Sequence, residues 1–148
     1  MELLARSRQG ERGAVVIEFA LMILVLMLLA LGVIDFGMAV QQGMVVSAAA
    51  HAGAVFGVGE GNANNTSGMQ SAAQSAAQGL VAITATASTW CTCSAGGTAV
   101  SCSSLCNLVD TPIQYVQVQT SATVPMMFRF TGLPASIPLT GNATLRAR

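Results

Sequence analysis

One segment constrains this chain more than any other: residues 14–34 run for 21 positions with a single charged side chain, Glu18. Within it, residues 19–34 (FALMILVLMLLALGVI) hold neither a charge nor an uncharged polar side chain. As an α-helix rising about 1.5 Å per residue, the 21 positions reach roughly 31 Å, enough to cross a bilayer core of about 30 Å. A membrane-spanning helix is therefore expected. The rest of the composition agrees, since only 8% of the 148 residues are charged and 53% are hydrophobic, against about 25% charged in an ordinary soluble domain. That apolar fraction excludes disorder. Six Arg without any Lys, scattered along the chain, exclude a basic nucleic-acid footprint, so no nucleic-acid partner is expected.

The flanks orient the span. Arg6, Arg8 and Arg12 precede it and the next basic side chain is Arg129, so the N-terminus is expected in the cytoplasm and everything after about Asp35 outside it. A cleaved signal peptide is the simpler alternative, with the small residues 47–52 (SAAAHA) as its cleavage site. The apolar stretch is longer than the 7 to 15 residues usual for such a signal, and a further helical segment, residues 36–46, precedes any small-residue site.

Glu18 sharpens the choice. A carboxylate within an apolar span costs about 2.5–3.5 kcal/mol near the bilayer centre, and less near an end, and normally has a partner. A cut after Gly13 would make Ala14 the new N-terminus and Glu18 the fifth residue. The two are then i and i+4 on one helix face, with the carboxylate beside a positive amine and the positive end of the helix dipole.

These residues resemble the type IV pilin-like prepilins, and within them the TadE-like minor pilins, or pseudopilins, of tight-adherence (Tad, or Flp) pilus systems. The matching text is RGAVVIEFALMILVLMLLALGVIDFG (residues 12–37), followed by VVSAAAHAGAV (residues 45–55). The chain departs from the family's pattern at Leu24, where Pro is frequent, and at His51, where a basic residue is frequent. The resemblance implies processing by a prepilin peptidase between Gly13 and Ala14, pairing of Glu18 with an N-terminal amine during assembly, and a membrane-exit motif at Asp35, Phe36 and Gly37. It implies partners too: membrane lipid before assembly, the peptidase, other pilins and minor pilins, and the Tad secretion platform. The implied location is the bacterial inner membrane in a single pass, then the pilus or cell surface. The domains expected are a prepilin leader (1–13), a transmembrane helix (14–36), its continuation (37–58) and an extracytoplasmic α+β head (59–148).

Residues 36–58 contain no Pro and read as helix. Gly43, Ser47, Ala50, Ala54 and Gly57 recur at steps of four and three along one face. Such a stripe admits a close neighbour, either the protein's own sheet or another subunit. Packing within the chain's own head is the expectation beyond Gly43. Ser47 and His51 are i and i+4, but no third group completes a nucleophile and base. No catalytic residue, cofactor site or enzymatic activity is assigned.

After a Gly- and Asn-rich joint at residues 57–68, residues 69–80 (MQSAAQSAAQGL) read as a short second helix stopping near Gly79. Strands are expected at residues 81–90, 98–102, 115–124 and 139–148, with Gly141 and Asn142 forming a bulge or bend in the last. The third strand is the clearest, alternating Val116, Val118, Thr120, Ala122 and Val124 against Gln117, Gln119, Ser121 and Thr123. The fold expected is α+β and pilin-like, a long helix and a short one followed by a three- or four-stranded antiparallel sheet.

The four cysteines lie as CTC (residues 91–93) and CSSLC (residues 102–106). In an exported domain an even count favours disulfides, for which three pairings exist. The nested pairing is expected, Cys93 with Cys102 closing a hairpin and Cys91 with Cys106 outside it, with the crossed pairing as its rival. A zinc site is disfavoured, because both spacings depart from CxxC pairs and an oxidising compartment disfavours free thiolates. No metal site is assigned. Two functional classes remain, an assembly protein of a pilus and a permanently membrane-anchored extracytoplasmic binding module.

Overall fold

The structure is a computed structural model describing residues 2–77, 82–106, 110–128, 132 and 134–147, with side chains from Gly13 onward. It divides into two compact units, Met1–Met38 and Ala39–Arg148. Helix α1 (Glu2–Val58) is followed by α2 (Thr66–Ala76) and four strands: β1 (Thr84–Thr92), β2 (Ala99–Val100), β3 (Ile113–Pro125) and β4 (Ser136–Arg146). The strands make one antiparallel sheet in the order β2-β1-β3-β4. The α+β class and the four-stranded sheet with disulfides follow the sequence reading. The proposed stop of α2 at Gly79 lies outside the described residues, as do the side chains of Arg6, Arg8, Arg12 and Arg129.

Helix α1 has no Pro to interrupt it and ends before a turn that places Gly61 at φ 78°, a backbone state that costs glycine little. Helix α2 starts three residues earlier than its composition suggested. Asn65 supplies the cap: its side-chain oxygen accepts from the Gly68 amide at 2.9 Å and from the Ser67 hydroxyl at 3.1 Å. That occupies one of the otherwise unbonded amides of the first helical turn.

The second unit is built on close helix–helix and helix–sheet approach. The buried face of α1 there is Val46, Ala49, Ala50, Gly53, Ala54 and Gly57, spaced at three and four as one helix face requires. Ala50, Ala54 and Gly57 of the small-residue stripe belong to it, whereas Ser47 is exposed and Gly43 only half-buried. A Cβ on Gly53 would lie 2.7 Å from the Met69 carbonyl oxygen and 3.1 Å from the Ala73 Cβ, and one on Gly57 would lie 2.6 Å from the Met69 sulfur. Gly57 of the stripe and its neighbour Gly53 thus seat α2, and Ala54 shares the core with Met69 and Ala73. Met69 and Ala73 continue into a core with Ala54, Ala85, Val116 and Val118.

β3 alternates as its sequence indicates, with Val116, Val118, Thr120 and Ala122 buried and Gln119, Ser121 and Thr123 exposed. Its buried Thr120 hydroxyl donates to the Val46 carbonyl oxygen of α1 at 2.7 Å. Gly141 stands opposite Thr120 on β4, and a Cβ there would meet Thr120 Oγ1 and the Val46 carbonyl oxygen, each at 2.7 Å. The β3–β4 register is unbroken through Gly141 and Asn142, so the expected bulge or bend is corrected. This glycine admits a helix backbone.

The disulfides are Cys91–Cys102 and Cys93–Cys106, which corrects the nested pairing of Cys93 with Cys102 and Cys91 with Cys106. Strand register is the reason. Cys91 is opposite Val100 and Thr92 opposite Ala99, which places Cys102 diagonally beside Cys91, with Cα atoms 5.1 Å apart. The same register continued puts Cys93 level with Thr98, four positions from Cys102, or about 13 Å at ~3.3 Å per residue. A disulfide spans Cα atoms no more than about 7 Å apart. Cys106, joined by a β-bridge to Asp110, lies 5.4 Å from Cys93 by Cα.

Two outcomes are expected. Gly141→Ala should destabilise the head by about 1–3 kcal/mol, the usual cost of overpacking, whereas Gly43→Ala, with nothing within 4 Å of the new Cβ, should stabilise it by about 0.5–1 kcal/mol through helix propensity. Urea unfolding followed by near-ultraviolet circular dichroism reads both. For the cysteines, the double variant C93S/C106S should expose no reactive thiol after unfolding without reductant, and C91S/C106S should expose two; the opposite result would restore the nested pairing.

Candidate functional site

Two surfaces carry chemistry, one in each compact unit. In the first, α1 presents the entry to the apolar span. Gly13, Ala14 and Glu18 are exposed and helical, and nothing lies within 4 Å of a Cβ built on Gly13. Ala14 and Glu18 are one turn apart on a common face, so a cationic group created at residue 14 would be within side-chain reach of the carboxylate. The large apolar side chains that follow, from Val15 through Ile34, are exposed apart from the half-buried Leu31. None of the most apolar stretch is buried, and by length and composition this helix could cross a membrane. A helix apolar all round is stable only against lipid or other apolar helices.

At the far end of the span the three exit residues differ sharply. Asp35 is 6% exposed while Phe36 is 71% exposed, and Gly37 is exposed with open space at its Cβ position. Ser47 and His51 are both exposed on α1. They line a shallow groove with Asn142, Thr144 and Leu145 of β4, which brings neither a carboxylate nor a second imidazole to them. All four cysteine sulfurs are held in disulfides. No cluster of three or more His, Cys, Asp or Glu suited to a metal occurs among the described residues.

The second surface is the face of the sheet opposite the buried core, which reading the sequence did not pick out; its β4 edge, at Asn142 and Thr144, adjoins the groove at Ser47 and His51. Register assembles it in rows across β1, β3 and β4. Thr84, Ser121 and Thr140 form one row, Thr86, Gln119 and Asn142 the next, and Ser88, Gln117 and Thr144 a third. Eight of these nine side chains are exposed, Gln117 being half-buried, and its amide donates to Asn142 Oδ1 at 3.1 Å. A fourth row joins Trp90, Tyr115 and Arg146. The two rings stack with centroids 5.8 Å apart and planes 16° from parallel. Alternation was read in the sequence of β3, but the lateral alignment of the rows depends on pairing register, which alternation alone does not determine.

Comparison with known proteins bears on the first surface. The family model described as TadE-like protein matches residues 13–55, so over that segment the chain is similar to this family, as its arginine-glycine entry, Glu18 and apolar helix indicated. No curated protein and no solved structure matches the chain.

Proposed function

We propose that this chain is a minor pilin or pseudopilin of a Tad (Flp) pilus system, a structural and not a catalytic protein, acting in pilus biogenesis and adhesion. In this reading it enters the bacterial inner membrane with its N-terminus in the cytoplasm. A prepilin peptidase cuts it between Gly13 and Ala14, and it then passes from the membrane into a pilus or its initiating complex. The observation that carries the reading is a coincidence at one place: Gly13, a carboxylate at the fifth position after it, and a helix whose most apolar stretch is nowhere buried all fall within the segment similar to the TadE-like family.

The chemistry is an exchange of solvents. In lipid the helix is at ease except at Glu18, whose charge near the end of an apolar span calls for a cation. Cleavage generates an amine at Ala14, and a neighbouring subunit's amine, brought alongside in a bundle of like helices, can pair with Glu18 across the interface. The apolar surface loses little on that transfer, because lipid tails and neighbouring helices solvate it about equally. The ion pair therefore has more to say about register than about gross stability. Asp35, Phe36 and Gly37 would mark the outer edge of the lipid, where a carboxylate is again tolerated. The partners in this reading are the peptidase, the Tad secretion platform and other pilins.

Mass spectrometry of the protein from its native host tests the reading. A mature chain beginning at Ala14 is expected; retention of Met1, or a start near His51, would overturn it in favour of a permanently anchored module or a secreted head. Glu18→Ala should leave membrane insertion unchanged and lower recovery in sheared pili by about tenfold, the equivalent of about 1.4 kcal/mol. Normal incorporation would remove Glu18 from the mechanism.

A further inference from the structure

The outer face of the sheet has no part in the assembly reading, and its chemistry is unusually uniform. Three successive rows carry only hydroxyls and carboxamides, and the fourth carries a stacked aromatic pair. We propose that this face is a binding site for a neutral oligosaccharide, with Trp90 and Tyr115 as its stacking platform and Thr86, Gln117, Gln119 and Asn142 as its hydrogen-bonding floor.

Charge complementarity selects the class of ligand. Nine consecutive lattice positions hold no charge, so neither a polyanion nor a polycation finds counter-charges there; Arg146 belongs to the fourth row, at one end. Each hydroxyl and carboxamide both donates and accepts hydrogen bonds, which is the capacity that matches a ligand made of hydroxyl groups. The lattice has fixed steps of about 4.8 Å between strands and about 6.8 Å between rows, and the Gln117–Asn142 bond already holds two of its amides in place.

Shape and the aromatic pair narrow the choice further. A concavity of ≈ 330 Å³ opens on this face, lined by Thr84, Thr86, Gln119, Ser121, Thr140 and Asn142 among others. That is at the small end of ligand pockets, which run from about 300 to 1,000 Å³, and it suits sugar rings better than a polypeptide. The aromatic pair is half-buried, so part of its apolar ring surface is open to solvent and can meet the C–H face of a pyranose. From Trp90 to Thr84 the strand covers about 20 Å at ~3.3 Å per residue. An oligosaccharide lying along it meets the aromatic row at one end and the concavity at the other. A second copy packed sheet on sheet fits poorly, since such interfaces interdigitate apolar side chains and three rows of polar groups would lose water here.

The test uses the full chain in lipid nanodiscs, free of sugar-based detergent. Trp90 is the single tryptophan, so its emission reports on this face directly. The probes are maltohexaose, cellohexaose and chitohexaose, with hexagalacturonate as an anionic control of equal length. At least one neutral hexasaccharide should shift the emission saturably at concentrations up to about 10 mM, corresponding to weak but specific affinity, while hexagalacturonate does not. Gln119→Ala by fluorescence and Trp90→Ala by calorimetry should each weaken binding about tenfold or more. Gln119→Ala should leave incorporation into pili unchanged, so this site and the assembly reading fail separately. No response to any neutral probe, equal binding of hexagalacturonate, undiminished binding by both variants, or an emission change that follows protein concentration through self-association would each overturn the proposal.

Discussion

The head depends on how closely one turn of helix approaches two strands. The Thr120 hydroxyl reaches the Val46 carbonyl oxygen at 2.7 Å because Gly141, its neighbour across the β3–β4 ladder, has no side chain to hold the helix away. A helical carbonyl already accepting its own i+4 amide has a second lone pair, and Thr120 uses it. The contact joins the segment at residue 46 to strands more than 70 positions later, and burial makes it matter: Thr120 is 1% exposed, so its hydroxyl would bear the cost of an unmade hydrogen bond if the helix receded. Around that point the buried side chains of α1 are Val, Ala and Gly, which keep backbone-to-sheet distance short. Met69, Val116 and Val118 join Val46 among the largest fully buried side chains.

Helix α1 thereby runs through two regimes of side-chain size under one backbone pattern. Residues 15–34 are mostly Leu, Met, Ile, Val and Phe, and all but the half-buried Leu31 are exposed. Residues 46–57 are small on one face and buried there. The difference is what each half packs against. Fluid lipid or like helices accept large side chains without a fixed complementary surface, whereas α2 and the sheet demand close, defined contacts. In the second unit Gly57 of the stripe, with Gly53 beside it, serves the chain's own α2, while Gly43 and Ser47 stand outside the buried face.

How much of this was legible in the sequence follows from which interactions are local. The span was legible because its length and apolarity are properties of consecutive residues. β3 was legible because period two survives in Val116, Val118, Thr120 and Ala122. Helix α2 was found three residues late, because Asn65, Thr66 and Ser67 read as loop composition when they are a capping arrangement. The disulfide pairing was missed because it depends on where Cys91 falls against Val100, a register that CTC and CSSLC do not encode. Gly141 looked like a bend for the same reason, since its helix neighbour lies 95 positions away in the chain. The rows on the outer face are the extreme case. Thr86, Gln119 and Asn142 have no pattern in common until three strands are aligned.

The scarcity of charge has separate causes at the two ends of the molecule. In the span, a charge is excluded by solvent, and the one that persists, Glu18, sits near an end where the cost is lowest. Between Glu18 and the end of α1 the sequence holds no Lys or Arg, so any cation for that carboxylate comes from the chain's entry side or from another molecule. The head faces no such exclusion, and the outer face of its sheet is already polar through Thr, Ser, Asn and Gln. A sheet face can be wet and neutral at no cost in solubility, but neutrality forgoes long-range steering of charged partners. What such a surface retains is short-range, directional hydrogen bonding, effective only against a partner that lies flat along the strands and matches their spacing.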